Sequence, residues 1–220
     1  MTKSVALNIE NLTVGYKEPL FANLNLTLQK GQFITIMGEN GSGKSTLIDC
    51  LLGNLAPHRG SIQFWGRENH RADRGWIQQR VGWVISQQEA FAPWLKVSDV
   101  ISATRGLYAT WNDRLLAQLA ERFRLDLNKR MGHLSSGEGS KVRLIKAMAF
   151  EPQLLILDEL TANLSPDSKS AIVEALIDRF ASGEMAVLYI CHSHEEAFRL
   201  SDQVLTLTRA GLISQRGAKI

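Results

Sequence analysis

Eight residues constrain this chain more than any others: Gly38, Glu39, Asn40, Gly41, Ser42, Gly43, Lys44 and Ser45. Their G-x-x-x-x-G-K-S spacing lies between a short unbroken apolar run, Phe33 to Met37, and a segment with Leu47, Ile48, Leu51 and Leu52 at helical spacing up to Gly53. The run suits a strand buried on both faces, and a glycine past the last periodic residue suits a helix stop. Strand, glycine loop and helix thus come in the order that lets backbone N–H groups turn inward around phosphate oxygens. The helix N-terminus adds positive potential at the same place. In such a loop Lys44 is a point charge for the outer phosphates and the Ser45 hydroxyl a ligand for Mg²⁺. Thr46 follows in the first helical turn, and a nucleotide site is the first expectation.

The rest of the chain predicts an α/β fold. Val5 to Val14 and Leu24 to Leu28 alternate apolar and polar residues, the pattern of half-exposed strands, and predict an antiparallel sheet edge broken by Gly31. Ser61 to Trp65 and Val81 to Ile85 read as further strands, separated by the polar segment Gly66 to Gln79. From Pro93 to about Gly132 the pattern becomes helical, with Leu115, Leu119 and Phe123 on one face and Asn112 placed to cap. The spacing predicts another helix over Val142 to Ala149, a buried strand over Leu154 to Leu157, and a helix from the cap Ser165-Pro166-Asp167 to Gly183. Ala186 to Cys191 is a last buried strand, followed by a short helix and a closing pair of strands around Arg209 to Gly211. No internal repeat is visible.

Leu157 is followed by Asp158 and Glu159, so a dry strand delivers two carboxylates to the carboxyl edge of the sheet, where ligands of α/β proteins bind. One acid suits Mg²⁺ and its neighbour suits polarising an attacking water.

Charge and cysteine usage narrow the setting. The formal net charge of +3 comes without a basic block interleaved with aromatics, so nucleic acid is not an expected partner. Cys50 and Cys191 each sit in an apolar run and read as buried free thiols of a reducing compartment. Met1 to Glu10 lacks the pattern of a secretory leader. No stretch approaches the roughly 18 apolar residues of a spanning helix. The expectation is a cytoplasmic chain whose membrane pore, if it serves one, is another protein.

With Leu134, Ser135, Ser136, Gly137 and Glu138 one helix before the acidic strand, the order of motifs resembles the ATP-binding subunits of ABC transporters. The resemblance covers nearly the whole chain. It implies a P-loop NTPase core with a mainly parallel sheet, an antiparallel β subdomain and a small helical subdomain inserted at approximately 88–147, all within one domain, 1–220. It also implies that ATP and Mg²⁺ are bound by Gly38, Asn40, Gly41, Ser42, Gly43, Lys44, Ser45 and Thr46. Tyr16 matches the aromatic that stacks on adenine, and Asp158 a metal ligand with Ser45. Gln87, with adjacent Gln88 as the other candidate, matches the sensor glutamine that also meets the metal. Glu159 and His192 match the catalytic glutamate and switch histidine, and His192 fits the following Glu195-Glu196-Ala197 better than His194 does. Ser135 and Gly137 match signature residues that reach a partner's nucleotide. The working unit is then a homodimer or heterodimer on the cytoplasmic face of a membrane, attached to separate transmembrane permease subunits.

Four positions depart from the family pattern: Ser136 and Glu138 in the signature, Leu160 where proline follows the glutamate, and Ser165 where an aspartate helps link the two sites. These departures imply slow turnover rather than none. Leu107, Tyr108, Ala109, Thr110, Trp111 and Asn112 resemble a stretch in lone subunits of some bacterial exporters, although an aromatic anchor for the helical lobe explains them on packing grounds. A soluble relative acting on nucleic acid or ribosomes is the alternative, but such proteins resemble paired cassettes or carry coiled-coil arms, and no sustained heptads occur here. A P-loop kinase or GTPase leaves the signature and His192 without roles, and Asn128-Lys129-Arg130-Met131 is not a guanine-reading Asn-Lys-x-Asp.

Overall fold

Three short runs, Phe33–Met37 (β3), Leu154–Asp158 (β7) and Ala186–Ile190 (β8), have every residue buried. Their side chains alternate between two separate cores. Phe33, Met37, Leu155, Leu157, Val187 and Tyr189 face a core built with helices. Ile34, Ile36, Leu154, Ile156, Leu188 and Ile190 face a second core shared with another sheet. Two-sided burial is why these strands read as continuous apolar runs rather than as alternations. A computed structural model gives the architecture and describes residues 4–85, 91–162 and 164–215.

The remaining elements follow in chain order. Val5–Gly15 (β1) and Pro19–Gln29 (β2) precede β3, and Lys44–Leu51 (α1) follows it. Next come Arg59–Phe64 (β4), Arg67–Glu68 (β5), Arg74–Gln78 (α2) and Val81–Ile85 (β6). Val97–Arg105 (α3), Asp113–Arg122 (α4) and Ser136–Met148 (α5) precede β7. Pro166–Phe180 (α6), His194–Leu200 (α7), Gln203–Thr208 (β9) and Gly211–Gln215 (β10) complete the described chain.

One sheet has the order β10-β9-β3-β8-β7-β6, parallel except for β10. The other has the order β2-β1-β4-β5 and is antiparallel throughout. The expected antiparallel edge is therefore not an edge of the main sheet. β1 and β2 belong to a sheet of their own, because their buried alternate residues, such as Leu7, Ile9, Leu24 and Leu28, share a core with Ile34, Ile36 and α1 instead of extending β3.

Other boundaries move as well. α5 begins at Ser136, well before Val142, and α6 ends at Phe180, before Gly183. The polar segment after β4 contains the short β5 and α2. The predicted caps are in place: Asn112 Oδ1 accepts from the Leu115 N–H at 2.8 Å, and Ser165 Oγ from the Ser168 N–H at 3.4 Å. Tyr108 stacks on Phe150 with centroids 3.8 Å apart, and the Asn112 N–H donates to the Ala149 carbonyl. The segment thus anchors the helices to the end of α5. Both cysteines are buried and free, and burial pushes each thiol up to about 12, which leaves them unreactive near neutrality.

Candidate active site

β3, β8 and β7 are adjacent and parallel, so their carboxyl ends open at one edge of the sheet. The glycine loop leaves β3, His192 follows β8, Asp158 ends β7 and Glu159 comes next. Topology alone gathers residues that lie far apart in sequence.

The loop needs its glycines for conformation. Gly41 and Gly43 have φ of 81° and 101°, in the left-handed region open to glycine, and Gly43 is the N-cap of α1. A Cβ at Gly43 would also lie 2.9 Å from the Phe21 ring. Lys44, Ser45 and Thr46 form the first turn of α1, whose leading N–H groups have no partners within the helix. Lys44 is 7% exposed and folds back so that Nζ donates to the Gly38 and Glu39 carbonyls, each at 2.9 Å. Burial pushes its ammonium down, while the Glu159 and Asp158 charges raise it. Ser42 Oγ is buried without a hydrogen-bond partner among the described residues. A buried orphan hydroxyl in a loop of inward-turned backbone fits an anionic ligand that supplies the missing partner.

Asp158 is 8% exposed, and its carboxyl is pushed up to about 6, first by burial and then by Glu159, against the pull of Lys44 and His192. A carboxylate so reluctant to ionise gains most from a cation beside it. With the exposed Ser45 hydroxyl at the same edge, the donors are hard oxygens of the kind Mg²⁺ takes. Glu159 has φ of 49°, and its N–H donates to the Ile190 carbonyl of β8. His192 Nε2 lies 2.8 Å from Glu159 Oε1. Because a carboxylate accepts, the imidazole carries its proton on Nε2.

Tyr16 lies just past β1, 68% exposed, with its hydroxyl 3.4 Å from Asp49 Oδ2 on α1. The structure thus brings together Lys44, Asp158, Glu159 and His192, with Tyr16 beside the helix that follows the loop. Gln87 and Gln88 lie outside the described residues.

Ser135 and Gly137 have different neighbours. Ser135 caps α5: its Oγ accepts from the Glu138 N–H at 3.2 Å, while its own N–H and hydroxyl donate to Glu138 Oε2. Lys129 Nζ donates to both Glu138 oxygens at 2.9 Å, which, with the Ser135 amide, holds that carboxyl below the usual range. Gly137 is buried where α5 meets α6, and a Cβ there would lie 2.6 Å from Ser168 Oγ.

One buried polar cluster beside these residues was missed by sequence reasoning. Glu196 of α7 is 4% exposed and accepts from Thr161 Oγ1 at 2.6 Å, Tyr189 Oη at 2.7 Å and Lys169 Nζ at 2.5 Å. Burial pushes its carboxyl up, but these donors outweigh burial and hold it below the ordinary range. Its only sequence signal was an acid immediately before the buried Ala197.

A family model described as ABC transporter matches residues 21–162, more than half of the chain. The chain belongs to the ABC transporter family. An ABC relative, the energy-coupling factor transporter ATP-binding protein EcfA1 of Mycoplasmopsis synoviae (strain 53), is 26% identical over 222 residues, covering 97% of this chain and 83% of its own. A solved structure described as the ATP binding subunit of an ABC transporter superposes with a TM-score of 0.86 at 25% identity, over 96% of this chain and 89% of that one. The ATP-binding cassette MJ0796, solved as a dimer in a post-hydrolysis state bound to ADP and Pi, superposes at 0.82 with 22% identity, over 96% and 100%. This chain is an ABC ATPase cassette.

Proposed function

We propose that this cassette binds and hydrolyses ATP as the ATPase subunit of a membrane transporter, working as a dimer on the cytoplasmic face of the membrane with separate transmembrane permease subunits. The observation that carries the reading is the convergence of Lys44, Asp158, Glu159 and His192 at one sheet edge, while Ser135 and Gly137 stand at the start of another helix. In this reading a second subunit brings its signature residues to the phosphate loop and completes the site.

In this reading Tyr16 offers its exposed ring to the adenine. Gly38 to Thr46 hold the phosphates by backbone N–H groups, and Lys44 exchanges its two carbonyl partners for phosphate oxygens. Asp158, Ser45 and Gln87 hold Mg²⁺, which supplies neutralisation of charge on the phosphate oxygens when bound. Glu159, oriented by His192, accepts a hydrogen bond from the attacking water. The water oxygen forms a bond to the γ-phosphorus as the bond to the β-phosphate oxygen breaks, and ADP, phosphate and a proton leave. Ser135 and Gly137 meet the partner's γ-phosphate, so closure of the dimer depends on ATP. The helices of approximately 88–147 form the subdomain that faces the permease.

Affinity capture from solubilised membranes tests the transport assignment. Recovery of a multi-spanning membrane protein in stoichiometric amount supports it, and recovery of ribosomes or DNA instead overturns it.

A further inference from the structure

Three elements of the proposed hydrolytic site converge on a residue that touches none of the reacting atoms. Thr161 lies two positions after Glu159, Tyr189 three positions before His192, and Lys169 in the first turns of α6, just after the loop that contains Ser165. All three donate to the Glu196 carboxylate. Thr161 Oγ1 and Tyr189 Oη also lie within 2.8 Å of each other, which closes the cluster. Ser193 fixes α7 beneath it by accepting from the Glu196 N–H at 3.3 Å. A cavity of about 230 Å³ is lined by Glu159 and His192 together with Thr161, Lys169, Tyr189 and Glu196.

A buried carboxylate is costly, and apolar side chains of similar volume often serve stability as well or better. Stability alone is therefore a weak reason for the arrangement. Glu159 gives a stronger one. Its left-handed φ of 49° is unfavourable for a residue with a Cβ and persists only where the surroundings over-determine it. The bond from the Glu159 N–H to the Ile190 carbonyl fixes one side of that residue. The Thr161–Glu196–Tyr189 bridge fixes the other, tying the loop after β7 to the strand that presents His192.

We infer that Glu196 is a positioning residue for ATP hydrolysis, holding the loop of Glu159 and the strand end of His192 at the separation at which the two share a hydrogen bond. The inference rests on Glu159 and His192 being the hydrolytic pair. The Lys169 arm extends the same tie to α6.

The test removes hydroxyls without removing volume, in the full chain. Thr161→Val and Tyr189→Phe are each expected to lower kcat about tenfold, a fraction of the roughly 10²-fold that a 1 Å misplacement costs. KM for ATP and the affinity for ATP in calorimetric titration stay within about twofold, because the phosphate loop is untouched. Thr161→Ser, which keeps the hydroxyl, returns kcat to the parental value. A parental kcat in both hydroxyl deletions overturns the inference. So does a loss of kcat that Thr161→Ser shares, or one matched by an equal loss of ATP affinity, since either marks a role in folding alone. Glu159→Gln, assayed alongside, separates the two layers. If it is inactive while the hydroxyl deletions keep the parental rate, only the positioning role fails. If it hydrolyses at the parental rate, the underlying pair fails.

Discussion

His192 Nε2 donates to Glu159 Oε1 across 2.8 Å, joining the carboxyl ends of two neighbouring parallel strands at the point where a nucleotide's terminal phosphate is expected. A general base so placed is typically worth about 10² to 10⁴ in rate. Glu159→Gln is expected to bind ATP with parental affinity, lose hydrolysis by a factor in that range and accumulate an ATP-bound dimer. Phosphate release and size-exclusion chromatography with ATP check both halves, and hydrolysis at the parental rate refutes the assignment.

Lys44 Nζ donates to the Gly38 and Glu39 carbonyls. Its exchange onto phosphate makes charge-assisted hydrogen bonds worth roughly 1.5 to 3 kcal/mol, so Lys44→Ala is expected to weaken ATP about tenfold to a hundredfold. Titration calorimetry reads this directly. Unchanged affinity counts against the role.

Asp158 links the site to pH. Its carboxyl is raised from 3.8 to about 6, so the folded chain binds this proton more tightly than the unfolded chain does. The resulting stability is complete below pH 3.8 and is lost as pH rises through 6, amounting to about 3 kcal/mol at 1.36 kcal/mol per unit. Asp158→Asn should therefore raise the melting temperature of the nucleotide-free chain at pH 7.5, with the gain shrinking as pH falls towards 4. Melting curves of the two proteins that stay parallel across that range refute the linkage.

Glu138, which departs from the signature that the sequence resembles, is balanced by Lys129. Lys129→Ala leaves the Glu138 carboxylate without its cation, though still bonded to Ser135, and is expected to raise the ATP concentration needed for dimer formation roughly twofold to fivefold, the scale of a partly exposed ion pair. Adding Glu138→Gln restores the parental midpoint. Both are best measured in a Glu159→Gln background, where hydrolysis does not drain the dimer.

Gly137 is fixed by packing as well as by the role proposed for it. Gly137→Ala places a methyl 2.6 Å from Ser168 Oγ and 3.0 Å from its Cβ, overpacking of a kind that costs about 1–3 kcal/mol. Ser168→Ala removes the closer contact only, so the double variant should recover part of the lost melting temperature, as calorimetric scans would measure.

Contiguous features were legible in the sequence. The loop at Gly38 to Ser45 carries its chemistry in adjacent residues, and the strands around Ile36, Ile156 and Leu188 show two-sided burial as unbroken apolar runs. Features that depend on distant pairing were not. The alternation in β1 cannot reveal that Leu7 pairs with Phe64 in a second sheet. Apolar periodicity showed α5 only from Val142, because Ser136-Gly137-Glu138-Gly139-Ser140 has none, although Glu138 suited a first helical turn and the Ser135-x-x-Glu138 spacing of a capping box was present. β5 and α2 are too short to establish a period. The donors to Glu196 come from positions 161, 169 and 189, and no local pattern joins them.

The order of strands also governs when this molecule can become itself. β3 emerges early from the ribosome, yet its neighbours in the sheet are β8 and β9, and the Phe33 N–H finds its partner in Asp202, 169 residues later. Such non-local pairing is slow to form and leaves strand edges open to aggregation meanwhile. The phosphate loop is translated in the first quarter of the chain but lacks the strands that flank β3 until the last quarter has been made. A truncated or stalled nascent chain therefore displays the motif without the two strands that flank β3 in the sheet.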